Sequence, residues 1–135
     1  MDGKPMDVYL KRLRDRGDLD HFQVFNHTSS LTLAETETGS THTNYGATGT
    51  ITLTLPIRAI QGTRFKFVVG AAQQLRIKVS SAGEKFIVNG TTSTDDGGGD
   101  LYLVADDEGE SANFLCISNK VWLVDVIGTW TVVQP

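Results

Sequence analysis

Along most of this chain, apolar side chains return at every second position, in short runs separated by Gly, Asn, Asp and Ser. Residues 50–56 (TITLTLP) set Ile51, Leu53 and Leu55 against Thr50, Thr52 and Thr54. Residues 63–69 set Phe65, Phe67 and Val69 against Arg64 and Lys66, and residues 74–79 set Leu75, Ile77 and Val79 against Arg76 and Lys78. A strand sends successive side chains to opposite faces, so this pattern builds strands with one dry and one wet face. A helix would need its apolar residues three and four apart. The Arg/Lys pairs are expected on solvent faces or against acidic groups. Pro56 ends its strand because it has no amide to donate.

Seven further segments carry the strand signal: SLTLAE (30–35), THTN (41–44), EKFIVNG (84–90), DLYLVAD (100–106), SANFLCIS (111–118), KVWLVDVIG (120–128) and TWTVVQ (129–134). Short strands at this regular spacing, with turn residues between them, predict an all-β domain over residues 30–135. The expectation is a single β-sandwich or barrel, jelly-roll-like, of about 8–10 short antiparallel strands. A chain of 135 residues is one domain, and 39% hydrophobic residues suffice for a thin two-layer core. Ahead of the first clean strand, Asn44, Gly46 and Gly49 are expected to shape a turn that needs positive φ or a close backbone approach.

Residues 1–29 differ in texture and are read as an extended N-terminal arm. One helical hint, MDVYLKRLRDRG (6–17), places Val8, Leu10 and Leu13 loosely on one face, with Gly17 to stop it. That stripe is too thin to hold a helix alone in water, so the arm needs a neighbour to order it. Its charges balance: Lys4, Lys11, Arg12, Arg14 and Arg16 stand against Asp2, Asp7, Asp15, Asp18 and Asp20. The acidic excess of the chain therefore lies in residues 95–110, where Asp95, Asp96, Asp100, Asp106, Asp107, Glu108 and Glu110 have no basic neighbour. This balance argues against a nucleic-acid partner, which requires clustered Lys and Arg. No apolar run approaches the ~20 residues that cross a bilayer, and no charged n-region precedes an apolar h-region. The expectation is a soluble protein made in a reducing compartment, with no membrane partner.

The residues that could carry chemistry are few. His21, His27 and His42 form no HxxxH pair and there is no CxxC, so a transition-metal site is not expected. The single Cys116 lies in an apolar run and reads as a small buried hydrophobe without a base beside it. Calcium is the one cofactor the acidic loops 95–110 admit, although they lack EF-hand spacing and solvated turns are the simpler reading. The GGG of residues 97–99 lacks the phosphate-loop pattern and reads as a hairpin tip. Trp122 and Trp130 share parity with Val124, Val126 and Val132, which favours core or subunit packing over sugar stacking. No enzyme activity is expected.

Three blocks resemble small β-domains of tailed-bacteriophage virion proteins. The first is Asn44-x-Gly46-Ala47-Thr48-Gly49-x-Ile51-Thr52-Leu53-x-Leu55-Pro56. The second is Phe67-Val68-Val69-x-Ala71-Ala72-Gln73-x-Leu75-Arg76-Ile77. The third runs from Gly109 through Asn119 (GESANFLCISN) and continues with Trp122 and Gly128-Thr129-Trp130. The resemblance covers residues 31–133 and transfers no catalytic residue. It implies a capsid decoration (cement) protein on the capsid surface of the virion, made in the host cytoplasm, commonly a homotrimer, with the major capsid protein as partner. The alternative is a tail or head fibre or receptor-binding module that touches host glycan through loops such as 90–100 and Trp122 or Trp130. Under the first reading the arm makes the capsid or subunit contacts, through Val8, Leu10, Lys11, Arg12, Arg14, Arg16, Phe22 and Phe25.

Overall fold

The computed structural model describes residues 23–135, and these form an all-β sandwich. Twelve strands follow in chain order: β1 Val24–Asn26, β2 Leu31–Thr32, β3 Thr41–Thr43, β4 Ile51–Thr54, β5 Arg64–Val68, β6 Leu75–Lys78, β7 Lys85–Val88, β8 Thr91–Thr94, β9 Tyr102–Ala105, β10 Ser111–Ser118, β11 Val121–Ile127 and β12 Thr131–Val133. A single 3-10 turn, Glu35–Glu37, joins β2 to β3. The strands pair into a seven-stranded sheet, β1-β3-β5-β10-β11-β7-β8, and a five-stranded sheet, β12-β9-β6-β4-β2. Both sheets have open edges, so the sandwich form holds and the barrel does not.

Two details depart from the expected all-antiparallel set of 8–10 strands. Among the described residues there are twelve strands, and half of their ten pairings are parallel. The parallel pairs are β1–β3, β3–β5, β7–β11, β2–β4 and β4–β6. The antiparallel pairs are β5–β10, β10–β11, β7–β8, β6–β9 and β9–β12. Alternation reports which face a residue occupies; it carries nothing about the direction of the neighbouring strand. The sheet mixing therefore comes from connectivity: β4 to β6 and β3 to β5 are joined by crossings to the opposite sheet.

The two inner faces differ in kind. The seven-stranded sheet contributes Phe65, Phe67, Phe86, Phe114 and Trp122, all buried. Phe114 receives the edges of Phe67 (5.1 Å, 87°) and Phe86 (5.5 Å, 89°), geometry worth about 0.5–1.5 kcal/mol per pair beyond burial. The five-stranded sheet answers with branched aliphatics: Ile51, Leu53, Leu75, Ile77 and Leu103. Arg64 and Lys66 stand exposed on the outer face of β5, and Arg76 and Lys78 half-exposed on that of β6, where Arg76 lies over the Tyr102 ring at 4.8 Å.

Two loops are closed by single residues. Asn44, fully buried, accepts from the amides of Gly70 and Ala71 and donates to the carbonyls of Ala71 and Gln73. This ties the lead-in of β4 to the β5–β6 loop, where Gly70 approaches so closely that a Cβ would stand 3.0 Å from that of Tyr45. Gly46 takes the expected positive φ of 89°, whereas Gly49 is neither left-handed nor crowded. At the end of β11, Gly128 has φ 90° and lies against Glu110, whose Oε2 accepts from the Thr129 amide. A Cβ on Gly128 would sit 2.5 Å from Glu110 Cγ, so Gly128→Ala is expected to destabilise by roughly 2–3 kcal/mol, read as a lower urea midpoint.

Candidate functional site

The outer face of the seven-stranded sheet holds a depression of about 460 Å3. β5 contributes Arg64 and Lys66, β10 Asn113 and Leu115, and β11 Leu123 and Asp125. Its walls offer two cations, one carboxylate, one amide, the hydroxyl residues Ser40 and Thr41 and a leucine floor. Gly39, Ser40 and Thr41 complete the rim, and Ser40 is the one lining residue bonded to a histidine. The lining suits non-covalent contact with another surface.

One arrangement beside this depression has the outline of a catalytic dyad. Ser40 Oγ lies 2.7 Å from His42 Nε2, and His42 Nδ1 lies 2.8 Å from His27 Nε2. The direction of the protons decides its role. Ser40 Oγ donates to the Glu37 carbonyl at 2.5 Å, and a carbonyl can only accept, so His42 Nε2 must donate to Ser40. His42 Nδ1 is then the acceptor for the His27 Nε2–H. A base that already gives its proton to the serine cannot remove one from it, and among the described residues the second ring nitrogen is held by His27 and not by a carboxylate. Ser40 and His42 are also buried, at 5% and 0% exposure. The chain is a framework element: the His27 and His42 rings stack at 5.1 Å, and Phe25 stacks on His42 at 5.2 Å. Burial, aided by the nearby His27, pulls the His42 pKa down to about 4 against the opposing pull of Glu37. Burial likewise lowers that of His27.

The acidic loops resolve into two clusters, Asp95–Asp96–Asp100 and Asp106–Asp107–Glu110, each with its oxygens within 4.8 Å. Their most buried members are spent on the backbone. Asp95 Oδ2 accepts from the amides of Gly83, Gly97 and Gly99, and Oδ1 from those of Asp100 and Leu101. Five donors saturate a carboxylate that offers about four lone-pair sites. Burial opposes the Asp95 charge, but the amides outweigh it and hold the carboxyl well below its usual range. Glu110 accepts from the amides of Asp107 and Thr129. Within the acidic loops Asp95 and Glu110 therefore stitch two turns together through backbone amides.

A third buried carboxylate was not singled out from sequence. Glu84, 2% exposed, accepts from the amides and hydroxyls of Ser80 and Ser81 through Oε2 and from Trp122 Nε1 through Oε1. Trp122 is accordingly a core residue, stacked on Phe65 at 6.2 Å, while Trp130 is half-buried and donates to the Ile127 carbonyl. Cys116 is buried as expected, and burial pushes its thiol up, away from the reactive thiolate. Among the described residues no buried side-chain nitrogen or oxygen lacks a hydrogen-bond partner.

Of the arm contacts, Val8, Leu10, Lys11, Arg12, Arg14, Arg16 and Phe22 lie outside the described residues, as do His21 and the helical hint. Phe25 lies in β1, half-buried, within the histidine stack. The described chain thus begins by adding β1 as the parallel edge strand on β3, beside the basic end of the depression. Among the described residues no helix is long and apolar enough to cross a membrane. Comparison with known proteins is silent: no protein-family model and no curated protein matches the chain.

Proposed function

We propose that this chain is a structural protein of a tailed-phage virion: a decoration protein that binds the outer capsid surface as a homotrimer and stiffens the head. The observation that carries the non-catalytic part is the use made of its reactive groups. Ser40, His42, Glu84, Asp95, Glu110 and Cys116 are committed to hydrogen bonds or packing within the sandwich. Arg64, Lys66, Asn113, Asp125 and the leucines between them line an open depression on a sheet face. Such a face makes contacts; it does not turn over substrate. The virion assignment itself rests on the resemblance of the three sequence blocks.

The arm supplies the test. Deletion of residues 1–22 spares β1, so the truncated protein should unfold at the same temperature as the full chain while its occupancy on purified capsids falls at least tenfold. Sedimentation of both proteins reads the trimer alongside. Undiminished capsid occupancy by the truncated protein would remove the arm from this role. Binding to host-cell glycan without binding to capsids would favour the fibre reading instead.

A further inference from the structure

We propose that the His27–His42–Ser40 chain is an acid-sensitive fastener, which holds β1 on the sheet when both imidazoles are neutral and releases this strand, with the segment that leads into it, when they are protonated. The inference concerns a device in the fold and stands whether or not the chain decorates a capsid.

Among the described residues β1 is a three-residue edge strand whose one neighbour is β3. Its attachment starts from the short ladder that pairs Val24, Phe25 and Asn26 with Thr41, His42 and Thr43. The Thr41 amide donates to the Gln23 carbonyl and the His27 amide to that of Thr43, at 2.9 and 2.8 Å. Thr43 Oγ1 donates to Asn26 Oδ1 at 2.6 Å. The remainder is the histidine contact and the Phe25 stack. A strand so short depends heavily on its side chains, because edge pairing alone is marginal in water.

The histidine contact works only in one protonation state. His42 Nδ1 is the acceptor for the His27 Nε2–H, and its other nitrogen already donates to Ser40. A second proton on His42 must go to Nδ1, where it would face the His27 N–H at 2.8 Å, donor against donor. Around the fully buried ring, β5 offers only Phe65 and Phe67, and β1 offers Phe25 and His27. The charged group bearing on both imidazoles is Glu37. Its carboxylate also accepts the Ala34 amide at 2.9 Å and does not outweigh the cost of burying the cation. The cheapest way to solvate a protonated pair is therefore to lift the edge strand and leave the sandwich behind it intact.

The sign follows from linkage. The folded His42 titrates below its unfolded value of 6.5, so its contribution is complete above that pH and is lost as pH falls toward about 4. Amide hydrogen exchange on the full chain, from pH 7 to pH 5, reads this residue by residue. After correction for intrinsic rates, protection at the His27 and Thr41 amides should fall roughly tenfold or more. The sandwich amides of Val69 and Cys116, bonded to Glu110 and Thr63, should keep theirs. The double variant His27→Phe/His42→Phe removes both titrating groups and leaves Ser40 bonded to Glu37, so its β1 should stay protected at pH 5. Equal loss at all four amides, or unchanged protection at His27 and Thr41, overturns the proposal. If the double variant does not fold, imidazole NMR of the unmodified chain decides: a His42 ring that titrates near 6.5 with β1 still protected also overturns it.

Discussion

Replacing Glu84 by alanine should lower the unfolding free energy by roughly 4 kcal/mol, the largest effect expected of any single substitution in this chain. The residue is 2% exposed and is the shared acceptor for two amides, two hydroxyls and the Trp122 indole. Its loss strands the Trp122 N–H in the buried core and leaves the part-buried Ser80 and Ser81 amides without their acceptor, at about 1–3 kcal/mol for a buried donor left unmade. The hydroxyls can turn elsewhere; the amides and indole cannot. Trp122 also packs against Phe65 and Phe114, so a shifted indole disturbs the centre of the seven-stranded sheet. Glu84→Gln keeps one acceptor oxygen but offers an NH2 where donors already converge, and should lose about half as much. Urea titrations of the three proteins measure this directly. An alanine variant within about 1 kcal/mol of the parent would mean that Glu84 fills space without organising the turn.

Much of the sandwich could be read from residue order, and the reason is burial. All ten segments chosen by alternation contain strands, and the parity was right: Phe65, Phe67, Leu75, Ile77 and Leu103 face inward while Arg64 and Lys66 are exposed. A residue's face is a local property, fixed by its position in the pleat. The two strands that escaped lack that signal. β8 is TTST, with no apolar residue to alternate, and β1 is only VFN. β8 had another clue: Asn89 and Gly90 both take positive φ, 48° and 90°, the pair that closes a tight hairpin between β7 and β8. Strand direction was illegible, because pairing depends on segments far apart in the chain.

The buried polar groups were harder still. An acidic residue is normally exposed, so composition points Asp95 and Glu110 at solvent or a cation. Asp95 carried a partial clue, since an aspartate ahead of a glycine run can gather the amides of its own turn. Glu84 carried none: its donors come from Ser80, Ser81 and a tryptophan 38 positions later. The His27–His42 contact spans 15 residues and exists only because β1 pairs in parallel with β3. Sites assembled by pairing become visible only when the pairing is.

Asp95→Ala should cost about 3–4 kcal/mol, nearly as much as the loss of Glu84, and should also reshape the acid limb of the stability curve. Five backbone amides converge on this carboxylate, four from the 97–101 loop and one from Gly83. Alanine leaves those near the core without a partner, and the glycine-rich loop, entropically expensive to order, should open. The amides hold the carboxyl below its unfolded value of 3.8, so its contribution is complete above that pH and is lost as pH falls below it. His42 acts higher, between 6.5 and about 4, which separates the two windows. Stability followed from pH 7 to pH 2 should therefore fall in two stages, the first confined to β1 and the second including the 95–101 loop. Asp95→Asn keeps an acceptor but cannot ionise, and should remove the Asp95 share of the lower stage while leaving the upper one in place. The Glu84 and Asp95 loops are joined by the Asp95 amide to the Glu84 carbonyl, 2.8 Å, and by the Gly83 amide to Asp95 Oδ2. The double alanine variant should then lose less than the sum of its parts, because the first substitution already loosens what the second would break. Strict additivity would show two independent turns.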